Sequence, residues 1–193
     1  KRKYVRFKGE KTMKKIILII MSILLLPACT ISNNPSSKVK EYLNQYNNLS
    51  DSVKLDLESK VASENLSDEN KKVYKDLLTK QYRNMKYEIK DETINGDEAN
   101  VKVNITVLDY YKGQKAANEY AKSNPKEFYN DNQIFNNESF NTYKLKQMSK
   151  VKDTVNYDIT FNLNKVDGQW KLESPDRITL EKIHGLYDYT SNN

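Results

Sequence analysis

Two side chains suited to specialised chemistry occur once each among the 193 residues: the thiol of Cys29 and the imidazole of His184. A single cysteine and a single histidine do not make the ligand clusters that hold transition metals. The sequence also lacks a glycine-rich phosphate loop and a GxSxG nucleophile motif. We therefore predict no metal site and no cofactor. The thiol of Cys29 is then a candidate for modification.

Cys29 follows a stretch that has the three parts of a secretory signal. Two lysines follow Met13, and residues 16–26 form an apolar run broken by one serine. That run is shorter than the about 20 residues that a helix needs to cross a bilayer core. We interpret residues 13–28 as a signal peptide that is cleaved between Ala28 and Cys29. The alternatives are a buried core helix, which would usually show a polar stripe, or a signal peptide without lipid.

The residues that end this stretch, Leu26-Pro27-Ala28-Cys29, resemble the bacterial lipobox. The resemblance implies that a lipid is attached to the thiol of Cys29 and that this residue becomes the first of the mature chain. Pro27 departs from the small residues usual at its position. Buried acyl chains contribute about 0.8 kcal/mol per CH2, so two or three chains would anchor the protein firmly. The expected location is the extracytoplasmic face of the cell membrane, and the expected partner is the membrane itself, through the lipid.

Residues 1–12 are basic and precede the start-like Met13. One interpretation is an extended n-region of the signal. The other is upstream sequence read through in an over-extended gene, because Lys8-Gly9-Glu10 is what AAA GGA GAA would encode, and that run resembles a ribosome-binding site. Nucleotide sequence without such a run would remove the second interpretation.

The net charge of +6 belongs to the segment before Cys29. Residues 1–28 contain eight of the 32 basic residues and one of the 26 acidic residues, which leaves 24 basic and 25 acidic residues. Binding to nucleic acid would require a basic surface on the folded domain. We therefore predict no nucleic-acid partner.

The mature chain divides into a tether, a folded domain and a tail. Residues 29–36 are small and polar, which predicts a lipidated flexible tether. Apolar residues at helical spacing then predict three helices, with Ser50 capping the second and Ser67 the third. The apolar positions expected on these helices are Val39, Tyr42, Leu43, Tyr46, Val53, Leu57, Val61, Val73, Tyr74, Leu77, Leu78, Tyr82 and Met85.

Alternating apolar residues predict two antiparallel hairpins, with turns at Asn95-Gly96 and Asp167-Gly168. Between them we predict a short helix over residues 114–122, a loop over residues 130–137 and a helix from Ser139. A last short helix over residues 178–184 would end at Gly185, and residues 186–193 would form a tail. A helix-then-hairpin unit thus occurs twice, at about residues 67–111 and 139–173.

Helices followed by long hairpins predict an α+β domain over residues 37–185, with N-terminal helices packed on a curved antiparallel β-sheet. A lipobox, a tether, N-terminal helices and a closing hairpin of the form VNYDITFNLNKVDGQWKLE resemble bacterial lipoproteins with a nuclear transport factor 2-like (cystatin-like) domain. The resemblance implies a cone whose open end can hold a small molecule or a catalytic pair. The fold does not determine the function.

The residues that could line such a pocket are Trp170, Tyr157 and Tyr110, and for Trp170 a role in the core is the alternative. We interpret His184 as supporting a helix end, and we expect Asp158 to be exposed because it alternates away from the apolar face. Two functions follow. The first is a non-catalytic lipoprotein that binds a small molecule, a wall component or a partner protein. The alternative is a tethered enzyme of the nuclear transport factor 2-like type, in which a pocket Asp or Tyr transfers a proton.

Overall fold

The computed structural model describes residues 33–190, and those from 34 to 190 belong to one compact unit. Residues 1–32 and 191–193 lie outside the described residues, and with them the predicted signal peptide, Ala28, Cys29 and most of the predicted tether. The first helix begins at Pro35, so the last two residues of the segment predicted as a tether are helical. Over residues 33–190, every helix is too short or too polar to cross a membrane.

The described part of the chain contains six α-helices and four strands in the predicted helix-then-hairpin order, and the α+β class is confirmed. A single 3-10 turn (Pro125–Glu127) follows the fourth helix. In chain order the elements are α1 (Pro35–Asn47), α2 (Asp51–Ser63), α3 (Asp68–Asn84), β1 (Lys86–Asn95), β2 (Glu98–Leu108), α4 (Tyr110–Ser123), α5 (Asn137–Lys150), β3 (Thr154–Val166), β4 (Gln169–Leu172) and α6 (Arg177–His184).

The four strands form one antiparallel sheet in the order β1-β2-β3-β4. Because successive side chains point to opposite faces, the alternating apolar residues of β2 and β3 all reach the same face. That face is buried under the helices. The other face carries polar pairs, such as Asn104 Nδ2 donating a hydrogen bond to Asp158 Oδ1 at 2.7 Å. Asp158 is exposed, as predicted. Directly opposed buried pairs are Val101 and Phe161, Val103 and Ile159, and Ile105 and Tyr157.

The second and third helices begin at their predicted caps. The hydroxyl of Ser50 accepts the N–H of Val53, and the hydroxyl of Ser67 accepts the N–H of Asn70, so both predicted N-caps are confirmed. Each satisfies a backbone donor that the first turn of a helix cannot pair internally. Val73, one of the apolar residues expected on α3, is 38% exposed.

The connections differ from the predictions in detail. Asn95 pairs with Glu98 as part of the sheet, so the first turn is Gly96-Asp97 and lies one residue later than predicted. Gly96, at φ +62°, occupies the first turn position, where a positive φ favours glycine. The helix predicted over residues 114–122 is longer, since Asp109 caps it at Tyr110. The helix predicted from Ser139 begins two residues earlier, capped by Asn136.

One buried polar contact joins the sheet to three helices. Gln81 Nε2 donates to the carbonyl of Leu108 at 3.0 Å, and the N–H of Leu108 donates to Gln81 Oε1 at 2.9 Å. Gly185, which ends α6, packs against these two groups. Its carbonyl accepts a hydrogen bond from the N–H of Tyr111 at 2.8 Å. We call Gln81, Leu108 and Gly185 the Gln81 junction. It holds together α3, the end of β2, the end of α6 and the start of α4.

The junction predicts an unequal response to two glycine substitutions. Both Gly185 and Gly168 have a positive φ, +70° and +75°. An alanine Cβ at Gly185 would lie 2.1 Å from the carbonyl oxygen of Leu108 and 2.2 Å from Gln81 Nε2. An alanine Cβ built at Gly168 would have no atom of a non-neighbouring described residue within 4 Å. We expect Gly168→Ala to lower the free energy of unfolding by about 1 kcal/mol through backbone strain alone. Gly185→Ala should lower it by roughly 3 kcal/mol or more, because overpacking adds to that strain.

Urea denaturation of the two variants beside the unsubstituted protein measures this difference. Equal losses at the two positions would contradict the tight packing of the Gln81 junction.

Candidate functional site

A cleft of about 410 Å³ opens between helices α2, α3, α4, α5 and α6. Its volume falls in the range of small-molecule sites. We call it the helical cleft. Apolar side chains form much of its wall, and three of them (Tyr74, Leu145 and Met148) belong to the hydrophobic core. The apolar wall residues are Leu66, Tyr74, Leu145, Met148, Leu180 and Leu186.

His184, the last residue of α6, lines the helical cleft. Gly185 ends the helix in a Schellman motif, in which the N–H of Leu186 donates to Glu181 O at 2.9 Å and the N–H of Gly185 donates to Lys182 O at 3.0 Å. This cap fixes the direction of the His184 side chain, which lies 5.7 Å from the ring of Tyr82. The predicted cap at Gly185 is confirmed.

The imidazole of His184 is held neutral. Only 8% of the residue is exposed, and burial lowers its pKa to about 4, with a further contribution from the nearby ammonium of Lys60. Neither ring nitrogen of His184 has a hydrogen-bond partner within residues 33–190. Every fully buried side-chain nitrogen in that range does have a partner, so the two ring nitrogens of His184 are not fully buried. Both nitrogens are therefore accessible, and because His184 lines the cleft, its imidazole can donate one hydrogen bond and accept another.

Charged residues surround this imidazole. Lys60 forms an ion pair with Glu64, and Arg177 forms one with Glu181 at 2.6 Å. Lys144 enters the cleft from α5, and its ammonium lies 5.7 Å from the ring of Phe140. Burial lowers the pKa of Lys144, while Glu64 acts in the opposite direction. Within residues 33–190, Lys144 has no carboxylate oxygen within 4 Å.

The three residues predicted to line a pocket are buried, and none of them lines the helical cleft. The hydroxyl of Tyr110 donates to the carbonyl of Leu77 at 3.0 Å, and burial raises the pKa of this phenol to about 12. The ring of Tyr157 packs 5.8 Å from Tyr187. Trp170 is only 6% exposed and has Lys165 above its ring. Their role in ligand binding stays a prediction.

Asp109, the residue that caps α4, is a buried carboxylate. It is 7% exposed, and both of its oxygens are occupied. Oδ1 accepts the N–H of Lys112 at 3.1 Å, which caps α4, and Oδ2 accepts the hydroxyl of Tyr189 at 2.9 Å. This carboxylate therefore holds the start of α4 and the segment after α6 in place.

Sequence reasoning missed most of the helical cleft. Its lining residues lie on five helices and in the segments that follow α2 and α6, at positions up to about 125 apart in the chain. His184 was noticed only because it is the single histidine. Among the described residues, no group of three or more His, Cys, Asp and Glu side chains could hold a metal ion.

The fold and the cleft thus define an α+β domain with a small amphipathic cavity between its helices. No known protein family and no curated protein matches this chain. Among solved structures, it is similar to the "putative lipoprotein (ycdA)" of Bacillus subtilis subsp. subtilis strain 168, at 14% identity and a TM-score of 0.39. The match covers 63% of this chain and 39% of that one, so the chain spans about two fifths of that structure. At this TM-score the likeness assigns neither a family nor a function.

The buried imidazole predicts a pH-dependent stability. The unfolded state binds a proton with a pKa near 6.5, whereas the folded state does so only near 4, so the unfolded state holds more protons between these values. Stability from His184 is therefore fully present above pH 6.5 and is lost as the pH falls towards 4, by roughly 3 kcal/mol. His184→Phe keeps an aromatic ring against Tyr82 and should remove this part of the acid sensitivity.

Two measurements check the sign. Urea denaturation at pH 4.5 and pH 7 gives the free energy of unfolding of the unsubstituted protein and of His184→Phe. The difference between the two proteins isolates the contribution of His184, because both contain the same carboxylates. NMR titration gives the pKa directly, because the chain has one histidine. A titration midpoint near 6.5 would show that the imidazole is solvated and would remove the argument.

Proposed function

We propose that this protein is a lipid-anchored, extracytoplasmic, non-catalytic lipoprotein whose domain binds a small carboxylic acid with an apolar body in the helical cleft. The anchoring rests on the sequence of residues 13–29. The ligand rests on one observation: Lys144 is a half-buried ammonium at an apolar wall, and no carboxylate pairs with it among the described residues.

The charges of the cleft support an anionic ligand. Glu64 and Glu181 are already paired with Lys60 and Arg177, so Lys144 is the cation that a ligand could neutralise. Burial lowers the pKa of Lys144 because it disfavours the charged form. A carboxylate bound nearby would favour the charged form of Lys144. The attraction between the two charges would then contribute to the free energy of binding. Charge-assisted hydrogen bonds of this kind contribute about 1.5–3 kcal/mol.

The uncharged part of the cleft supports an apolar body on the ligand. Leu66, Leu180 and Leu186 are partly buried and border the cavity, so a ligand would cover apolar surface that water now touches. Each square ångström of such surface contributes about 25 cal/mol on burial. His184 adds a neutral donor and acceptor that can orient the carboxylate without requiring a second charge.

Binding is favoured over catalysis by the state of the carboxylates. An enzyme that transfers a proton needs an acid or base free to reach the substrate. Asp109 uses both oxygens within the protein, and Glu64 and Glu181 are held in ion pairs. The imidazole of His184 has a pKa of about 4, which makes it a weak base at neutral pH, and we therefore propose binding and no reaction for this cleft.

The anchoring predicts a simple test in the cell. Cys29→Ala should abolish incorporation of radiolabelled palmitate and move the protein from the membrane fraction to the medium or the soluble extract. Pro27→Ala is the matched control, because it keeps the thiol and restores a small residue, and it should stay labelled and membrane-bound. Label on the Cys29→Ala protein, or a cytosolic unsubstituted protein, would contradict the proposal.

The ligand class predicts a selectivity that depends on one charge. Calorimetry on residues 30–193, prepared without lipid, would compare 4-phenylbutyrate with 4-phenylbutanol. We expect the acid to bind at least tenfold more tightly than the alcohol, because a charge-assisted bond adds 1.5 kcal/mol or more. Lys144→Met keeps an apolar side chain of similar length and removes the charge. In this variant the affinities for the acid and the alcohol should differ by no more than about threefold.

Lys150→Met, on the last turn of the same helix and outside the cleft, is the matched control and should keep the selectivity. Preference for the acid that survives in the Lys144→Met protein would place the anion elsewhere and overturn the assignment.

A further inference from the structure

A second concave surface lies at the far end of α4, where the chain turns towards α5. It has a volume of about 1220 Å³ and shares none of its lining residues with the helical cleft. Such a volume exceeds that of a typical single small-molecule site. Both aromatic rings and side-chain amides line it. We call it the aromatic groove, and the residues that define it are Asn118, Tyr129, Asn130, Gln133, Phe135 and Phe140.

The rings of the groove are held from behind by an inner aromatic layer. Phe128 is 3% exposed and makes an edge-to-face contact with Phe140 at 5.7 Å and a tilted contact with Phe135 at 6.4 Å. Tyr129 in turn lies 5.0 Å from Phe135, edge to face. The side chain of Tyr129 nevertheless stays 43% exposed. The groove therefore presents aromatic surface in a fixed orientation.

The loop that carries these rings is tied down by its own hydrogen bonds. Asn130 Oδ1 accepts the N–H groups of Asn132 and Ile134, at 3.0 and 2.9 Å, and the N–H of Asn136 donates to Phe128 O at 2.7 Å. The loop thus keeps its shape without a ligand, and binding would require little ordering. The side-chain amides of Asn118 and Gln133 form no hydrogen bond within residues 33–190, so their donors and acceptors remain available to a ligand.

The chemistry of this lining matches a chain of sugars. A pyranose ring has an apolar face of C–H groups that stacks on an aromatic ring, and a rim of hydroxyl groups that hydrogen-bonds to amides. Amide side chains can also pair with the acetamido groups of amino sugars, since each supplies two donors and an acceptor. The charged residues of the groove are Lys122, Lys126 and Asp131, which nearly balance. Neither a strongly anionic nor a strongly cationic ligand fits that balance.

We propose that the aromatic groove binds a glycan chain built of acetamido sugars, with Tyr129 as the main stacking platform. The volume of the groove is larger than one sugar fills, so the occupant we propose is a segment of a polymer. This site is separate from the helical cleft and does not depend on the ligand proposed there. A protein anchored at the outer membrane face would meet such a polymer in the cell envelope.

The test uses the full chain in detergent and soluble N-acetylglucosamine oligomers as probes. We expect the affinity measured by calorimetry to rise at least tenfold from the disaccharide to the tetrasaccharide, because the longer probe fills more of the groove. Tyr129→Ala should weaken tetrasaccharide binding at least tenfold. Tyr129→Phe keeps the stacking ring and should stay within about threefold of the unsubstituted protein.

Two controls separate the sites. Ile94→Ala truncates a side chain that is 52% exposed on β1 and should leave tetrasaccharide binding unchanged. His184→Phe, which alters the helical cleft at a residue that does not line the groove, should also leave it unchanged. No binding of the tetrasaccharide at millimolar concentration would overturn the proposal, as would an affinity indifferent to the ring at Tyr129. Neither result would bear on ligand binding in the helical cleft.

Discussion

The amide of Gln81 is the contact on which the arrangement of the helices depends. It forms hydrogen bonds with both the N–H and the carbonyl of Leu108, the last residue of β2. These bonds take the place of a strand partner, because the pairing of β2 with β1 ends at Thr106. Unpaired backbone groups at that depth would each cost about 1–3 kcal/mol. Gly185 packs against this amide so closely that even a methyl group would collide with it. The end of α6 therefore has one position relative to α3 and the sheet.

That position produces the helical cleft. Because Gly185 is held at the junction, His184 is carried into the space between α2, α3 and α5, where water is scarce and Lys60 is close. An imidazole in such a place stays neutral at physiological pH. The same helix brings Arg177 and Glu181 to the rim, already paired with each other. The cleft thus combines a neutral hydrogen-bonding group, two ion pairs and the ammonium of Lys144, which has no ion-pair partner in the part of the chain that the structure describes. This combination is the basis for the proposed carboxylate ligand.

The aromatic residues divide between the two halves of the domain for different reasons. Tyr46, Tyr82 and Tyr157 fill the core between the sheet and the helices, where their hydroxyls are desolvated and their pKa values are raised. Around Phe128 the rings instead form a small separate layer that supports the loop between α4 and α5. A loop of this length needs its own packing to keep one shape. Tyr129 stays exposed beside that layer and lines the aromatic groove.

The sequence by itself determined the elements and their buried faces. Alternation along β2 and β3 predicted which side chains enter the core, and Ser50 and Ser67 predicted two helix starts, because these signals depend only on local backbone geometry. It also confined thiol chemistry to Cys29. The grouping of residues around each cavity follows from the tertiary fold. Tyr110, Tyr157 and Trp170 look alike as pocket candidates in sequence but are buried, whereas Lys60, Lys144 and His184 meet around one cavity although they are far apart in the chain. Contacts of that kind arise from packing between elements, which local periodicity does not encode.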